Sequence, residues 1–472
     1  MIPSRIFEGR DVGMFGLART GQASVRALKA GGANVYAWDD NETQRKLARE
    51  AGAVDVRWQD WPWDKIAALV LSPGVPLTHP KPHEIVLKAQ TANVPVIGDF
   101  ELFAQEIRRD RNAVGRAPLI AITGTNGKST TTALIGHVLR QCGFDAQIGG
   151  NIGQPILALD PPSPKTIYVA EVSTFQIDLA PSLMPDVSIL LNLSPDHIDR
   201  HGSMQNYAAV KERLVRATAH DGLALIGVDD NFSSAIFTRA SSNGGPPSVP
   251  VSVGKVLGRG IFVVDGTLYD AQAGRAAKIM ELASAKHLIG AHNWQNAAFA
   301  YAACRRFVKD TRAIVSAIES FPGLSHRMEE IGRIGRVRFV NDSKATNAEA
   351  AERALVCFPD IFWIAGGRAK EGGIESLAPH FGRVRKAYLI GEAADTFART
   401  LDGKVAFERS GTLEAALASA AADAARSQVA EPVVLLSPAC ASYDQFLDFE
   451  QRGDAFRDLV TKLAPSQVRE AS

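Results

Sequence analysis

The chain has 472 residues, 46% apolar and 22% charged. Domains of ordinary size, roughly 150 residues each, predict about three of them. With 52 basic and 51 acidic residues its formal charge is +1, which gives no global electrostatic claim on nucleic acid or on an anionic membrane. No apolar run approaches the roughly 18 residues of a spanning helix, and the opening MIPSRIFEGR lacks a secretory core. Four cysteines without C-x-x-C spacing predict buried thiols in a cytoplasmic protein.

Short apolar runs alternate with helical stretches along the chain, the pattern of parallel sheets covered by helices. A first series is predicted from strand DVGMFGL, helix QASVRALKAGG, and strands NVYAWDD, AALVLSPG and VPVIGD. RRDRNAVGRAP (108–118) reads as a connection. The second series opens with strand LIAITG and helix KSTTTALIGHVLRQCG, followed by strands TIYVAEV, VSILLNL and LALIGV. Within it SSNGGPPSVP reads as a loop and GIFVVDGTLYDAQAG as a hairpin with an Asp-Gly turn. After helix NWQNAAFAYAACRRF and turn FPGLSHR, a third series runs VRFVNDS, DIFWIAGG, KAYLIGE and EPVVLLSPA. The expected fold class is α/β, in three units with boundaries near residues 104 and 323.

Gly16-Leu17-Ala18-Arg19-Thr20-Gly21 follows a strand and opens a helix, and Asp39 ends the next strand, 23 residues after Gly16. Glycines let the backbone approach a diphosphate, helix N–H groups hold it, and the acid meets a ribose hydroxyl. Ala18 replaces the second glycine of the dinucleotide fingerprint, so a tight strand-to-helix turn without a ligand stays open. The loop SPGVP (Ser72–Pro76), which includes Pro73 and Gly74 and also ends a strand, can line the same crevice.

TGTNGKST (Thr123–Thr130) has the context of a phosphate loop but is two residues shorter than G-x-x-x-x-G-K-[ST]. Backbone N–H groups from Thr125 to Lys128 are expected to wrap a phosphate chain, with Lys128 on the β/γ oxygens and Ser129 on Mg²⁺. Glu171, ending its strand, is placed to complete the metal shell. SPDHIDRH adds Asp196, His197, Asp199 and His201, of which His197 is the favoured ligand. Mg²⁺ suits these oxygen-rich groups better than zinc.

GTNGKST, EVSTFQ, NLSPDHIDRH, YAAVK, HNWQNAA, SHR and NDSKATN occur in that order. Together they resemble the Mur ligases, ATP-dependent amide-forming enzymes of peptidoglycan synthesis, whose phosphate loop is the same short form. The resemblance spans the chain. It implies a Rossmann-like UDP-binding domain (1–104), a central P-loop ATPase-type domain with a parallel sheet and a small β element (105–323), and a Rossmann-like amino-acid-binding domain (324–472). The ending LLSPACASYDQFLDFEQRG with NDSKATN is most similar to members that add D-glutamate to UDP-N-acetylmuramoyl-L-alanine through an acyl phosphate, releasing ADP and phosphate. A relative using L-glutamate or another amino acid is the alternative.

By motif match, the resemblance implies that Gly124, Thr125, Asn126, Gly127, Lys128, Ser129 and Thr130 hold ATP phosphates, and that Asn296, Arg327 and Asp342 complete the ATP site. It implies two Mg²⁺ ions on Ser129, Glu171, His197 and Lys211, the last as a carbamate derived from CO₂. Lys128, His197, Lys211 and Lys344 are the implied catalytic residues. Gly16, Leu17, Arg19, Thr20, Asp39, Ser72, Pro73, Gly74 and Asn151 are assigned to the UDP substrate. Thr346, Lys370, Ser442, Tyr443 and Phe449 are assigned to D-glutamate, although Glu371 stands where members more often carry glycine. The implied protein is a cytoplasmic monomer with no nucleic-acid partner and no membrane insertion, whose third domain closes over the central one. A dehydrogenase built on the first glycine turn leaves the phosphate loop and NDSKATN unexplained. A folylpolyglutamate synthetase-like ligase would lack the first domain.

Overall fold

Short buried runs that alternate with helices organise the chain into three sheets. The computed structural model describes residues 1–109, 117–242, 244–285, 287–369 and 372–470. It comprises two compact units, Met1–Ser284 with Asn293–Phe321, and Ala285–His292 with Pro322–Ser472.

The first sheet contains β1 (Asp11–Phe15), β2 (Asn34–Trp38), β3 (Val54–Asp55), β4 (Ile66–Leu71) and β5 (Val96–Ile97), in the order β3-β2-β1-β4-β5. All its pairings are parallel. The loops after β1 and β4 leave in different directions, the switch point where ligands settle in open α/β sheets.

The second sheet belongs to the same unit. Its strands are β6 (Leu119–Thr123), β7 (Asp145–Gly150), β8 (Thr166–Glu171), β9 (Val187–Leu190), β10 (Leu223–Gly227), β11 (Ser248–Val253), β12 (Ile261–Val264), β13 (Thr267–Asp270) and β14 (Ala277–Glu281). The order is β14-β13-β12-β11-β10-β9-β6-β8-β7, parallel except at the β12–β13–β14 meander. Every residue of β6, β8 and β9 is buried, as expected of strands covered on both faces. The helix Asp99–Arg109 joins the two sheets: Phe103 packs edge-on to Tyr168 of β8 at 5.2 Å, within one continuous apolar core.

The second unit holds β15 (Glu329–Ile334), β16 (Val337–Asn341), β17 (Ile361–Gly366), β18 (Val384–Ile390), β19 (Phe407–Gly411) and β20 (Val433–Leu436), in the order β15-β16-β20-β17-β18-β19. Only β15 is antiparallel to its neighbour.

Two readings are refined. The predicted hairpin forms as β12 and β13, and its Asp265-Gly266 turn has φ of +48° and +71°, the positive pair a two-residue I′ connection requires. The stretch read as the loop SSNGGPPSVP instead begins β11 at Ser248, parallel to β10. Pro250 pairs with Ile226 inside the sheet, where a proline argues against a strand by sequence. Most of RRDRNAVGRAP lies outside the described residues.

Candidate active site

The candidate residues gather at the C-terminal ends of the strands. In the first unit, one cleft of about 240 Å³ is lined by Pro73 and Gly74 after β4, Lys128 after β6, Asn151 after β7, Ser173 to Phe175 after β8, and Asp196 and His197 after β9. Tyr207 and Lys211, from the helix Met204–Arg216, complete the lining. The cleft thus joins residues from both sheets of that unit.

The glycine loop turns sharply into the helix Lys128–Gln141, whose N-cap Gly127 has φ +86° and no side-chain cap. A Cβ on Gly127 would lie 2.4 Å from Asn296 Oδ1, so the position needs glycine on both conformational and steric grounds. The expected wrap of N–H groups from Thr125 to Lys128 is corrected here. The Thr125 N–H donates to the Asn192 carbonyl at 2.9 Å and the Asn126 N–H to Asn192 Oδ1 at 3.0 Å. These two donors serve the end of β9, and Gly127 then opens the positive end of the helix. The Thr125 hydroxyl is held by the Ser194 carbonyl and Tyr207 Oη, each at 3.1 Å.

Asn296 is buried behind the loop. Its Oδ1 accepts from the Thr131 hydroxyl at 3.1 Å and its Nδ2 donates to Asn293 Oδ1 at 3.1 Å. Ser129 is buried at the first helical turn and Thr130 is half-buried beside it.

Lys128 Nζ donates to the Gly124 and Thr125 carbonyls at 2.9 and 2.7 Å. Lys211 Nζ reaches the same Gly124 carbonyl at 2.9 Å and the Thr123 hydroxyl at 3.1 Å, and lies 4.7 Å from the Tyr207 ring centroid. Lys211 is 2% exposed. Burial, helped by the neighbouring Lys128 charge, holds its ammonium well below the ordinary lysine range, against the pull of Asp196 and Glu171.

Glu171 is buried, and its Oε1 accepts from Asn151 Nδ2 at 2.8 Å. Its Oε2 is buried and has no hydrogen-bond partner among the described residues. A buried carboxylate oxygen with an unused lone pair fits a hard divalent cation. Among the described residues, no three His, Cys, Asp or Glu side chains cluster as a metal cage.

His197 has φ +51° and is exposed, with Nε2 3.6 Å from Asp196 Oδ2 and its ring edge-on to Phe175 at 5.4 Å. His201 turns away: it is buried, shares a hydrogen bond with the Thr174 hydroxyl at 2.8 Å and stacks on Phe175. Burial lowers its pKa to about 4, so it stays neutral as packing. Arg200, not anticipated from sequence, lies over the Phe175 ring at 4.6 Å and donates to the Gly74 carbonyl at 3.3 Å. It ties the β4 loop to the turn that carries His197.

At the first sheet, the Leu17 N–H donates to Asp39 Oδ2 at 2.6 Å, so Asp39 shapes the glycine turn as well as ending β2. The helix Arg19–Ala30 starts at Ala18 without a side-chain cap, with Arg19 exposed and Thr20 half-buried. Gly16, at φ +88°, abuts Ser72 of the β4 loop, where a Cβ would sit 2.6 Å from the serine Cβ.

In the second unit, Asp342, Lys344 and Thr346 follow β16, and Ser442 and Tyr443 follow β20. Asp342 is buried, with Ser437 Oγ donating to Oδ2 at 2.8 Å and the Met328 N–H to Oδ1 at 3.2 Å. Burial raises its pKa to about 7. Arg327 is half-buried in a turn flanked by His326 and Met328, both at positive φ. Lys344 Nζ sits 3.6 Å from the Phe449 ring centroid. Ser442 is buried while Tyr443 is 66% exposed; Lys370 lies outside the described residues.

Arg452 was not anticipated either. It is 1% exposed, donating to Ser343 Oγ and O at 2.9 and 2.8 Å and to the Cys440 carbonyl at 3.1 Å. It thereby ties the loops after β16 and β20 together.

The Mur ligase middle domain model matches residues 122–304, and the Mur ligase, glutamate ligase domain model matches 326–440. A UDP-N-acetylmuramoylalanine–D-glutamate ligase of Nitrobacter hamburgensis is 54% identical over 98% of each chain. The protein of that name from Caulobacter sp. (strain K31) is 50% identical over the whole of both. Among solved structures, the UDP-N-acetylmuramate-alanine ligase MurC of Thermotoga maritima shares the fold at a TM-score of 0.56 and 16% identity, over 96% of this chain and 99% of that one. The glycine loop, the buried lysine beside it and identity of this extent over the full length lead to one assignment: the chain belongs to the Mur ligase family.

Proposed function

We propose that this chain joins D-glutamate to UDP-N-acetylmuramoyl-L-alanine at the expense of ATP, a step of peptidoglycan precursor synthesis. The observation that carries the reading is the half-identity, end to end, with D-glutamate ligases, set on a cleft where Lys128, Lys211, Asn151 and Gly74 meet. Residues 1–104, 105–323 and 324–472 would take the sugar nucleotide, ATP and the amino acid respectively.

A carboxylate resists attack by an amine because its leaving group would be oxide. Transfer of the ATP γ-phosphoryl group to a carboxylate oxygen gives an acyl phosphate and ADP. The unprotonated amine of D-glutamate then adds to the carbonyl carbon, and the tetrahedral adduct expels phosphate and loses a proton to form the amide. Both steps crowd anions together, so charge neutralisation is the main catalytic demand. Lys128 and the N-terminus of the helix Lys128–Gln141 supply positive potential at the phosphates.

Ser129, Glu171, His197 and Lys211 would hold Mg²⁺, in two sites, and the bound metal would screen the phosphate charge from the incoming carboxylate. Lys211 suits the carbamate role because its depressed pKa favours the neutral amine. That nitrogen adds to CO₂ and releases a proton, replacing a cation by an anion. Gly16, Leu17, Arg19, Thr20, Asp39 and Ser72 would bind the uridine diphosphate, with Pro73, Gly74 and Asn151 along the cleft. Arg327 and Asp342 would serve ATP. Lys344, Thr346, Lys370, Ser442, Tyr443 and Phe449 would serve D-glutamate. No helix among the described residues is long and apolar enough to cross a membrane.

The test is phosphate release from ATP with UDP-N-acetylmuramoyl-L-alanine, comparing D-glutamate, L-glutamate, L-alanine and meso-diaminopimelate. Release should depend on D-glutamate. Equal release with L-glutamate, or release without any amino acid, would overturn the assignment.

A further inference from the structure

We propose that Asn192, immediately after β9, is a positioning residue that sets the conformation of the nucleotide loop, and that Gln295 holds Asn192 in place. The inference rests on reading residues 124–130 as the nucleotide loop.

A primary amide offers an acceptor oxygen and two N–H donors, and Asn192 uses all three kinds of bond at once. Its Oδ1 accepts the Asn126 N–H at 3.0 Å, and its Nδ2 donates to the Asn126 carbonyl at 3.2 Å. The remaining Nδ2 proton goes to Gln295 Oε1 at 3.0 Å. The Asn192 backbone carbonyl takes the Thr125 N–H at 2.9 Å. Both backbone groups of one loop residue and a donor of the preceding one are therefore committed to a single asparagine.

Gln295 is oriented from behind. Its Nε2 lies 3.4 Å from Asp229 Oδ2, which also accepts the Val253 N–H at 2.8 Å, while Asp229 Oδ1 accepts the Ser252 hydroxyl. The chain of contacts runs from the glycine loop through β9 to the helix Ala291–Cys304 and β11.

Its consequence is a division of labour among the loop amides. The N–H groups of Thr125 and Asn126 face the strand end, which leaves the segment from Gly127 onward to meet the phosphates. A six-residue arch is unnecessary when a neighbouring strand fastens the first part of the turn, and this accounts physically for the loop being two residues short. No other side chain does the same: aspartate loses both donors, leucine loses every side-chain bond, and serine is too short to span both backbone groups of Asn126.

The test uses the full-length protein, with ADP affinity by titration calorimetry and KM for ATP, the UDP-sugar substrate and D-glutamate. Asn192→Ala should weaken ADP binding and raise the KM for ATP by about tenfold or more, since several bonds are lost. The other two KM values should stay within about twofold. Gln295→Ala should show a smaller rise, about threefold. The double variant should be no worse than Asn192→Ala, because Gln295 acts only through Asn192.

An unchanged KM for ATP in Asn192→Ala, or an equal rise in all three KM values, would overturn the proposal. Additive effects in the double variant would remove Gln295 from it. If Asn192→Ala fails to fold, Gln295→Ala decides alone, and an unchanged KM for ATP sinks the idea. Lys128→Ala is the control for the underlying reading: ADP affinity that survives that change shows the loop is not the nucleotide site, which is a different failure.

Discussion

Lys128 and Lys211 share one acceptor: each donates its ammonium nitrogen to the Gly124 carbonyl at 2.9 Å. Burial of Lys211, with the Lys128 charge at the same oxygen adding to it, explains the direction of the Lys211 shift.

Lys211→Met should therefore abolish turnover, by more than about 100-fold, without lowering the Tm. Below the ordinary lysine pKa the unfolded chain binds a proton that the folded state resists, so burial of Lys211 reduces stability at neutral pH. That penalty shrinks as pH rises toward the unfolded value. In CO₂-free buffer without nucleotide, the Tm of Lys211→Met should equal or exceed that of the parent at pH 7, and any advantage should fade toward pH 10. A large Tm loss at pH 7 would contradict this account.

Asn151 fixes Glu171 twice, through its backbone N–H to the Glu171 carbonyl at 2.9 Å and through Nδ2 to Oε1 at 2.8 Å. Those bonds aim the unpartnered Oε2. Asn151→Ala should raise the Mg²⁺ concentration needed for half-maximal activity by about tenfold, in the range reported for groups that orient a metal ligand. A Mg²⁺ titration of ATP turnover measures this, and an unchanged midpoint would count against it.

Gly127→Ala combines a positive φ with a Cβ placed 2.4 Å from Asn296 Oδ1. The expected cost is about 1–3 kcal/mol of stability together with a large loss of nucleotide affinity. Asn296→Ala in the same chain should recover part of the stability by making room, and differential scanning fluorimetry of the single and double variants would show it.

Asp342 has its pKa raised to about 7 by burial. The folded state thus holds a proton that the unfolded chain releases near pH 4, so stability from this group falls as pH rises from about 4 through about 7. Asp342→Asn removes that dependence. Between pH 5 and 8 the Tm of the parent should fall relative to Asp342→Asn, by an amount on the order of 2–3 kcal/mol in stability. Parallel curves would show that the carboxyl does not titrate in this window.

Much of the candidate site is carried by residues that are local in sequence. Lys128, Ser129, Glu171 and His197 stand at strand ends whose apolar runs announce them, and Lys211 became visible only through the family resemblance. What stayed hidden depends on distant partners. Asn192 and Gln295 are 103 positions apart, and Thr125 and Tyr207 are 82 apart; no spacing rule links such pairs. Arg452 reads as a solvent-facing residue of a polar helix, yet its stem is buried. The one local hint is the following Gly453, where a Cβ would fall 2.1 Å from His326 Nδ1. β11 was concealed by Pro247 and Pro250, because turn chemistry outweighs a short apolar run when no sheet neighbour is known.

The close approach of Gly16 to Ser72 has a further consequence. Two loops that are 56 positions apart in sequence touch with no room for one additional methyl group, so they behave as a single steric lip at the mouth of the first sheet. Because Gly16 is also held at φ +88°, where a side chain is strained whatever the space, a library randomised at both positions should keep glycine at 16 even where residue 72 becomes smaller.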